Sequence, residues 1–296
     1  MSTITVLQTH LSMKQVSQSR RELLVFFGFL IPLTGVGYWL KLALHQPDYF
    51  LLWTPAMAAI VSRLVLRCGF SDVSFRFGGK RTLYAVLLAL LFPLVVATIA
   101  YGMAWILGLA QFSVSTHVIP KPLPNPADPV VRFLWTVFLS TTLITLFYLV
   151  LFSGGEELGW RGFMLTRLVD ARIPQPLFVC ALIWWLWHVP FLLSGTYTPG
   201  NNPSLVLTLV ISFGSIVAFN YFISWLRLRT GSIWPCLIAH AAWNAITQVG
   251  FNTAFVGPMS RIWIGESGII EMLVLIVIVV AILRIWPLRQ ILYKPA

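Results

Sequence analysis

The chain has 296 residues, 58% of them hydrophobic and only 10% charged, where a soluble domain carries about 25% charged residues. With a mean hydropathy of +0.85, it cannot cover a water-facing surface, which excludes a soluble globular protein and leaves an all-α polytopic membrane bundle. The formal net charge of +11 comes from Lys and Arg at the ends of apolar runs, not from one patch, so the expected partner is the lipid bilayer and not nucleic acid.

Residues 1–22 are polar and are expected to form a cytoplasmic N-terminal segment. The apolar run that follows is span-length and lacks a small-residue cleavage site, so it is read as a retained helix. Runs of this kind predict about eight spans, near 23–44, 50–67, 82–110, 130–153, 176–194, 204–227, 232–250 and 268–286. Residues 23–296 are thus expected to be one transmembrane domain. Pro120, Pro122, Pro124, Pro126 and Pro129 mark one extended loop, and the stretch from Thr198 to Pro203 marks another. Cys68, Cys180 and Cys236 stand apart from one another, which excludes a disulfide framework.

With eight spans and both termini cytoplasmic, 16 of the 20 Lys and Arg fall on the inner side. Only Lys41, Lys121, Arg132 and Arg261 are left outside. An odd number of spans would scramble this bias.

Three polar groups interrupt the apolar runs. The first is SGGEELGWRGF, residues 153–163, which holds Glu156, Glu157 and Arg161 although the whole chain has only 9 acidic residues. The sequence stays helix-compatible to about Asp170, which would place Glu156 roughly 20 Å inside that helix end. Such a helix is long, tilted or broken near Gly154-Gly155. Arg161 lies four residues from Glu157, the spacing at which helical side chains meet, so it is expected to neutralise and orient Glu157. Glu156 is turned about 100° away and stays free. The second group is WWLWHVP, with Trp184 and His188 on one helical face. The third is HAAWN, with His240 and Asn244 on one face amid small alanines. Taken singly, the histidines are satisfied core residues and Asn244 is an interhelical bond, while Trp184, Trp185 and Trp187 are bundle packing in preference to a surface that accepts a lipid or a hydrophobic peptide. Taken together, Glu156, His188 and His240 fall roughly 13–21 Å from their expected cytoplasmic helix ends, on three helices. A carboxylate, two imidazoles and a carboxamide at one depth have the makings of a hydrolytic site.

In this order the three motifs resemble those of the CAAX protease and bacteriocin-processing family of intramembrane glutamic endopeptidases. The resemblance covers residues 156–244, within a core of about 130–250, and EELGWRGF and RTGSIWPCLIAHAAWNA read like its bacterial members. Trp184 stands where Phe is common, and Gly159 lies inside the first motif. The resemblance implies a multi-pass plasma-membrane enzyme that needs no cofactor and no metal. Glu156, helped by His188, would deprotonate a water that attacks a peptide carbonyl, and His240 and Asn244 would bind the oxyanion. Arg161 would keep Glu157 ionised. The implied partner is a peptide or protein substrate, lipidated or not. Three alternatives stand beside this reading. Glu, His and His are also a zinc ligand set, although HExxH is absent. A non-catalytic bacteriocin-immunity or peptide-binding protein would share the fold. A proton-coupled transporter would be expected to show inverted repeats, and none is visible.

Overall fold

The computed structural model describes residues 12–117, 119, 123–195 and 204–288. Pro120, Lys121, Pro122, the stretch from Thr198 to Pro203, Arg289, Lys294 and most of the N-terminal segment lie outside the described residues. The chain forms α1 (Met13–Leu44), α2 (Tyr49–Leu66), α3 (Lys80–Ile106), α4 (Pro129–Asp170), α5 (Pro176–Leu193) and α6 (Leu205–Thr230). These are followed by α7 (residues 234–251), a short α8 (Ser260–Trp263) and α9 (Ile269–Ile285). The strands β1 (Gln111–Phe112) and β2 (Phe255–Val256) pair antiparallel and tie the α3–α4 loop to the segment after α7.

The architecture is the all-α polytopic bundle expected from the hydropathy. The first six helices are long and apolar enough to cross a bilayer. α7 is α-helical over Trp234–Trp243 and π-helical over Asn244–Phe251, and α9 has 17 residues. All eight expected segments are therefore helical.

Two boundaries depart from the sequence reading. α1 begins at Met13 instead of near residue 23, because Ser12 and Gln15 exchange hydrogen bonds in a capping box. Hydropathy finds only the apolar part of a helix, and these first turns are polar. They dock on the protein: Glu22 pairs with Arg167 at 2.7 Å, and Arg20 donates to the Ala171 carbonyl. α4 runs unbroken for 42 residues. Of the alternatives long, tilted or broken near Gly154-Gly155 it is the long helix, and its irregularity takes the form of three π-helical turns, Ser140–Ile144, Leu149–Ser153 and Trp160–Met164.

α2 packs on α1 and on the Gly154–Gly159 stretch of α4, α6 lies between α5 and α9, and α7 lies against α3. At the end where α2 and α4 finish, Asp72 in the α2–α3 loop receives Arg63 at 2.5 Å and also pairs with Arg167. Burial alone pushes the Asp72 carboxyl up, but hydrogen bonds and charge from Arg63 and Arg167 outweigh it and hold the carboxyl below its ordinary 3.8. A carboxyl depressed on folding contributes stability that is present above its unfolded pKa and lost as pH falls through the folded one. Asp72→Asn should therefore lower the thermal midpoint of the detergent-solubilised protein at pH 7. The gap to wild type should close as the pH is taken below the ordinary aspartate range, and a gap that does not depend on pH would contradict this.

Candidate active site

The site starts from a close helix crossing. Gly155 and Gly159, four apart on α4, face α2 with almost no gap. A Cβ on Gly155 would sit 2.6 Å from the Leu52 carbonyl oxygen, and one on Gly159 would sit 2.5 Å from the Pro55 carbonyl carbon. Small residues at this spacing allow membrane helices to approach backbone to backbone. Here they seat Glu156 and Glu157 deep in the bundle, 3% and 0% exposed. Gly159→Ala should drive α2 from α4 and lower stability by about 1–3 kcal/mol. Gly102→Ala, where a Cβ would meet nothing within 4 Å, serves as the control. Equal melting temperatures for the two variants would refute the close-crossing account.

The next turn of α4 is π-helical, and guanidinium groups from other parts of the bundle meet its carbonyls. Arg227 Nε donates to the Arg161 carbonyl at 3.2 Å, and Arg63 Nη2 donates to the Gly162 carbonyl at 2.9 Å. Arg161 itself is fully buried. Its Nη1 lies 2.7 Å from Glu157 Oε1, as the four-residue spacing predicts, and its Nη2 donates to Asn220 Oδ1 at 2.8 Å. The guanidinium also sits 4.2 Å above the Trp184 ring. Asn220, on α6, in turn donates to the Leu177 carbonyl of α5 at 2.8 Å. The ion pair thus joins three helices.

Glu157 also grips the third motif, since His240 Nδ1 lies 2.8 Å from the same Glu157 Oε1. A carboxylate only accepts, so His240 carries its proton on Nδ1 and turns Nε2 the other way. Trp184 Nε1 donates to Glu156 Oε2 at 2.8 Å, so this residue, expected as packing, also orients the carboxylate. His188 Nδ1 lies 3.0 Å from the Trp184 carbonyl. That oxygen can only accept, so Nδ1 carries the proton and Nε2 keeps its lone pair in the neutral ring. The Trp184 ring stands between the imidazoles, 5.6 Å from His188 and 5.4 Å from His240.

Glu156, His188, His240 and Asn244 line one cavity of about 490 Å³. Asn244 is half-buried and its carboxamide has no hydrogen-bond partner among the described residues. Glu157 and Arg161 lie behind this wall and do not line the cavity. Among the described residues, no group of three His, Cys, Asp or Glu side chains is placed to hold a metal ion.

Sequence reasoning missed Asn220, Gln248 and Glu266. Asn220 had one available signal, a lone carboxamide in the apolar α6. Gln248 continues the four-residue spacing of His240 and Asn244, while Glu266 lies in a loop and gave no signal. Gln248 and Glu266 line the same cavity, and Gln248 Nε2 donates to Glu266 Oε1 at 3.0 Å.

Residues 138–246, from the first third of α4 to the π-helical part of α7, match the family model described as type II CAAX prenyl endopeptidase Rce1-like. A search of curated proteins finds no match.

Proposed function

From the premise that this chain carries a type II CAAX prenyl endopeptidase Rce1-like domain over residues 138–246, we propose that it hydrolyses a peptide bond in a membrane-associated peptide or protein, with Glu156 as general base. The observation that carries this reading is the shared cavity: Glu156, His188, His240 and Asn244 reach it from α4, α5 and α7.

In this scheme a water sits between Glu156 and the unprotonated Nε2 of His188. Glu156 removes its proton as the oxygen attacks the scissile carbonyl, and the imidazole holds the water in line. Negative charge collects on the former carbonyl oxygen, which takes hydrogen bonds from the Asn244 carboxamide and from His240 Nε2. For Nε2 to donate while Nδ1 is given to Glu157, His240 must be the imidazolium, and the Glu157 carboxylate is its counter-charge. Donors fixed by a buried network need no reorganisation as charge develops, and they act more strongly away from bulk water. Arg161 shares the same carboxylate oxygen and keeps Glu157 from taking the proton that Glu156 collects. That proton then passes to the departing amine.

The cavity opens among apolar side chains such as Leu52, Phe152 and Leu192, which suits a substrate presented from lipid. The proposed setting is a bacterial plasma membrane. The test compares membrane-fraction peptides by mass spectrometry between cells carrying the wild-type protein and cells carrying Glu156→Gln. Fragments present only with wild type are expected. Identical peptide sets would count against hydrolysis and favour a peptide-binding or immunity role.

A further inference from the structure

Beyond the stretch matched by the family model, the cavity wall continues in a regular way. His240, Asn244, Gln248 and Asn252 are spaced four residues apart, and all four line the cavity. A straight α-helix could not hold such a row in line, because each four-residue step advances about 40° past a full turn and three steps would carry the last residue about 120° round. The π-helical stretch Asn244–Phe251 widens the turn and offsets part of this drift. The result is a rail of polar groups along one wall of the cavity, set closer together than the roughly 6 Å that four residues of α-helix would span.

The rail's chemistry is set by its neighbours. A carboxylate only accepts, so the contact with Glu266 fixes Gln248 with its amide nitrogen toward Glu266 and leaves Oε1 as the group offered elsewhere. Tyr148 Oη reaches that oxygen only at 3.4 Å. The Glu266 loop is itself anchored: Glu271 Oε2 accepts from the Gly265 amide at 2.8 Å, while Asn252 accepts from Tyr101 at 2.5 Å and from Arg261.

We propose that Gln248 is a substrate-binding residue, with Oε1 accepting a backbone N–H of an extended peptide close to the scissile carbonyl, and that Glu266 is the positioning residue that fixes its amide. This rests on the peptidase reading for the location of the scissile bond, but the binding contact can be measured without turnover.

The probe is a farnesylated fluorescent peptide ending in a CAAX sequence, bound to nanodisc-embedded Glu156→Gln protein. Backbone N–H groups within three residues of the scissile bond are replaced by ester oxygen one at a time. One ester should weaken binding about tenfold, the loss of a single hydrogen bond. In the added background of Gln248→Met, a chain of similar length without the acceptor, the same ester should cost less than twofold. Glu266→Gln, which frees the Gln248 amide to turn over, should shrink the ester cost as well and covers the case in which Gln248→Met does not fold. Equal ester costs with and without Gln248 would overturn the proposal. Failure of wild-type protein to cleave the all-amide peptide, with the Gln248-dependent ester cost intact, would remove the peptidase reading and leave the rail.

Discussion

Glu156→Gln should reduce peptide cleavage by at least 10²–10⁴-fold, the range associated with loss of a positioned general base, with little change in thermal stability. The substitution keeps an oxygen where Glu156 accepts from Trp184 Nε1, and it removes a negative charge that has no direct ion-pair partner among the described residues. What is lost is the ability to take a proton. The neighbouring substitution Glu157→Gln should behave differently. It weakens contacts to both Arg161 and His240 at one oxygen, so it should lower the melting temperature and reduce activity together. If Glu157→Gln proved inactive but stable while Glu156→Gln kept full turnover, the roles of the two adjacent carboxylates would have to be exchanged.

The second large effect is on stability. Arg161→Met should destabilise the protein by about 3–5 kcal/mol, the cost of leaving one member of a buried ion pair without its partner. Both side chains are fully buried, and Asn220 Oδ1 also loses its donor. The double variant Glu157→Met with Arg161→Met removes both charges, and apolar replacement of a whole buried pair is often neutral or stabilising. Much of the lost stability should therefore return. Activity should not, because His240 no longer has a carboxylate on Nδ1. Thermal melts in detergent measure the first half of this prediction and peptide turnover the second. A double variant as unstable as Arg161→Met would show that packing around the guanidinium, including the Trp184 ring, outweighs the charges.

Much of the bundle was legible because a bilayer imposes one requirement, apolar length, and hydropathy reads that directly. The Glu157–Arg161 pair was legible because helical spacing puts the two side chains together locally. The contact between His240 and Glu157 was not, since it crosses 83 residues and depends on how two helices rotate against each other. The π-helical turns left no mark in the sequence, although they flank the Glu156 stretch of α4 and widen the turns of α7 along the cavity. Asn220 could be noticed as a polar residue in an apolar helix, but its partner could not be named. The polar start of α1 escaped because apolar length and helix length differ wherever a helix extends past the hydrocarbon.

The central claim is that a carboxylate, and not a bound metal, activates the attacking water. The most direct measurement is peptide cleavage by chelator-stripped protein reconstituted in nanodiscs in ¹⁸O-labelled water, with both fragments weighed by mass spectrometry. The account predicts undiminished turnover of the stripped wild-type protein, one ¹⁸O in the new C-terminal carboxylate, and no labelled product from Glu156→Gln. Loss of turnover on stripping, restored by zinc alone, would contradict it.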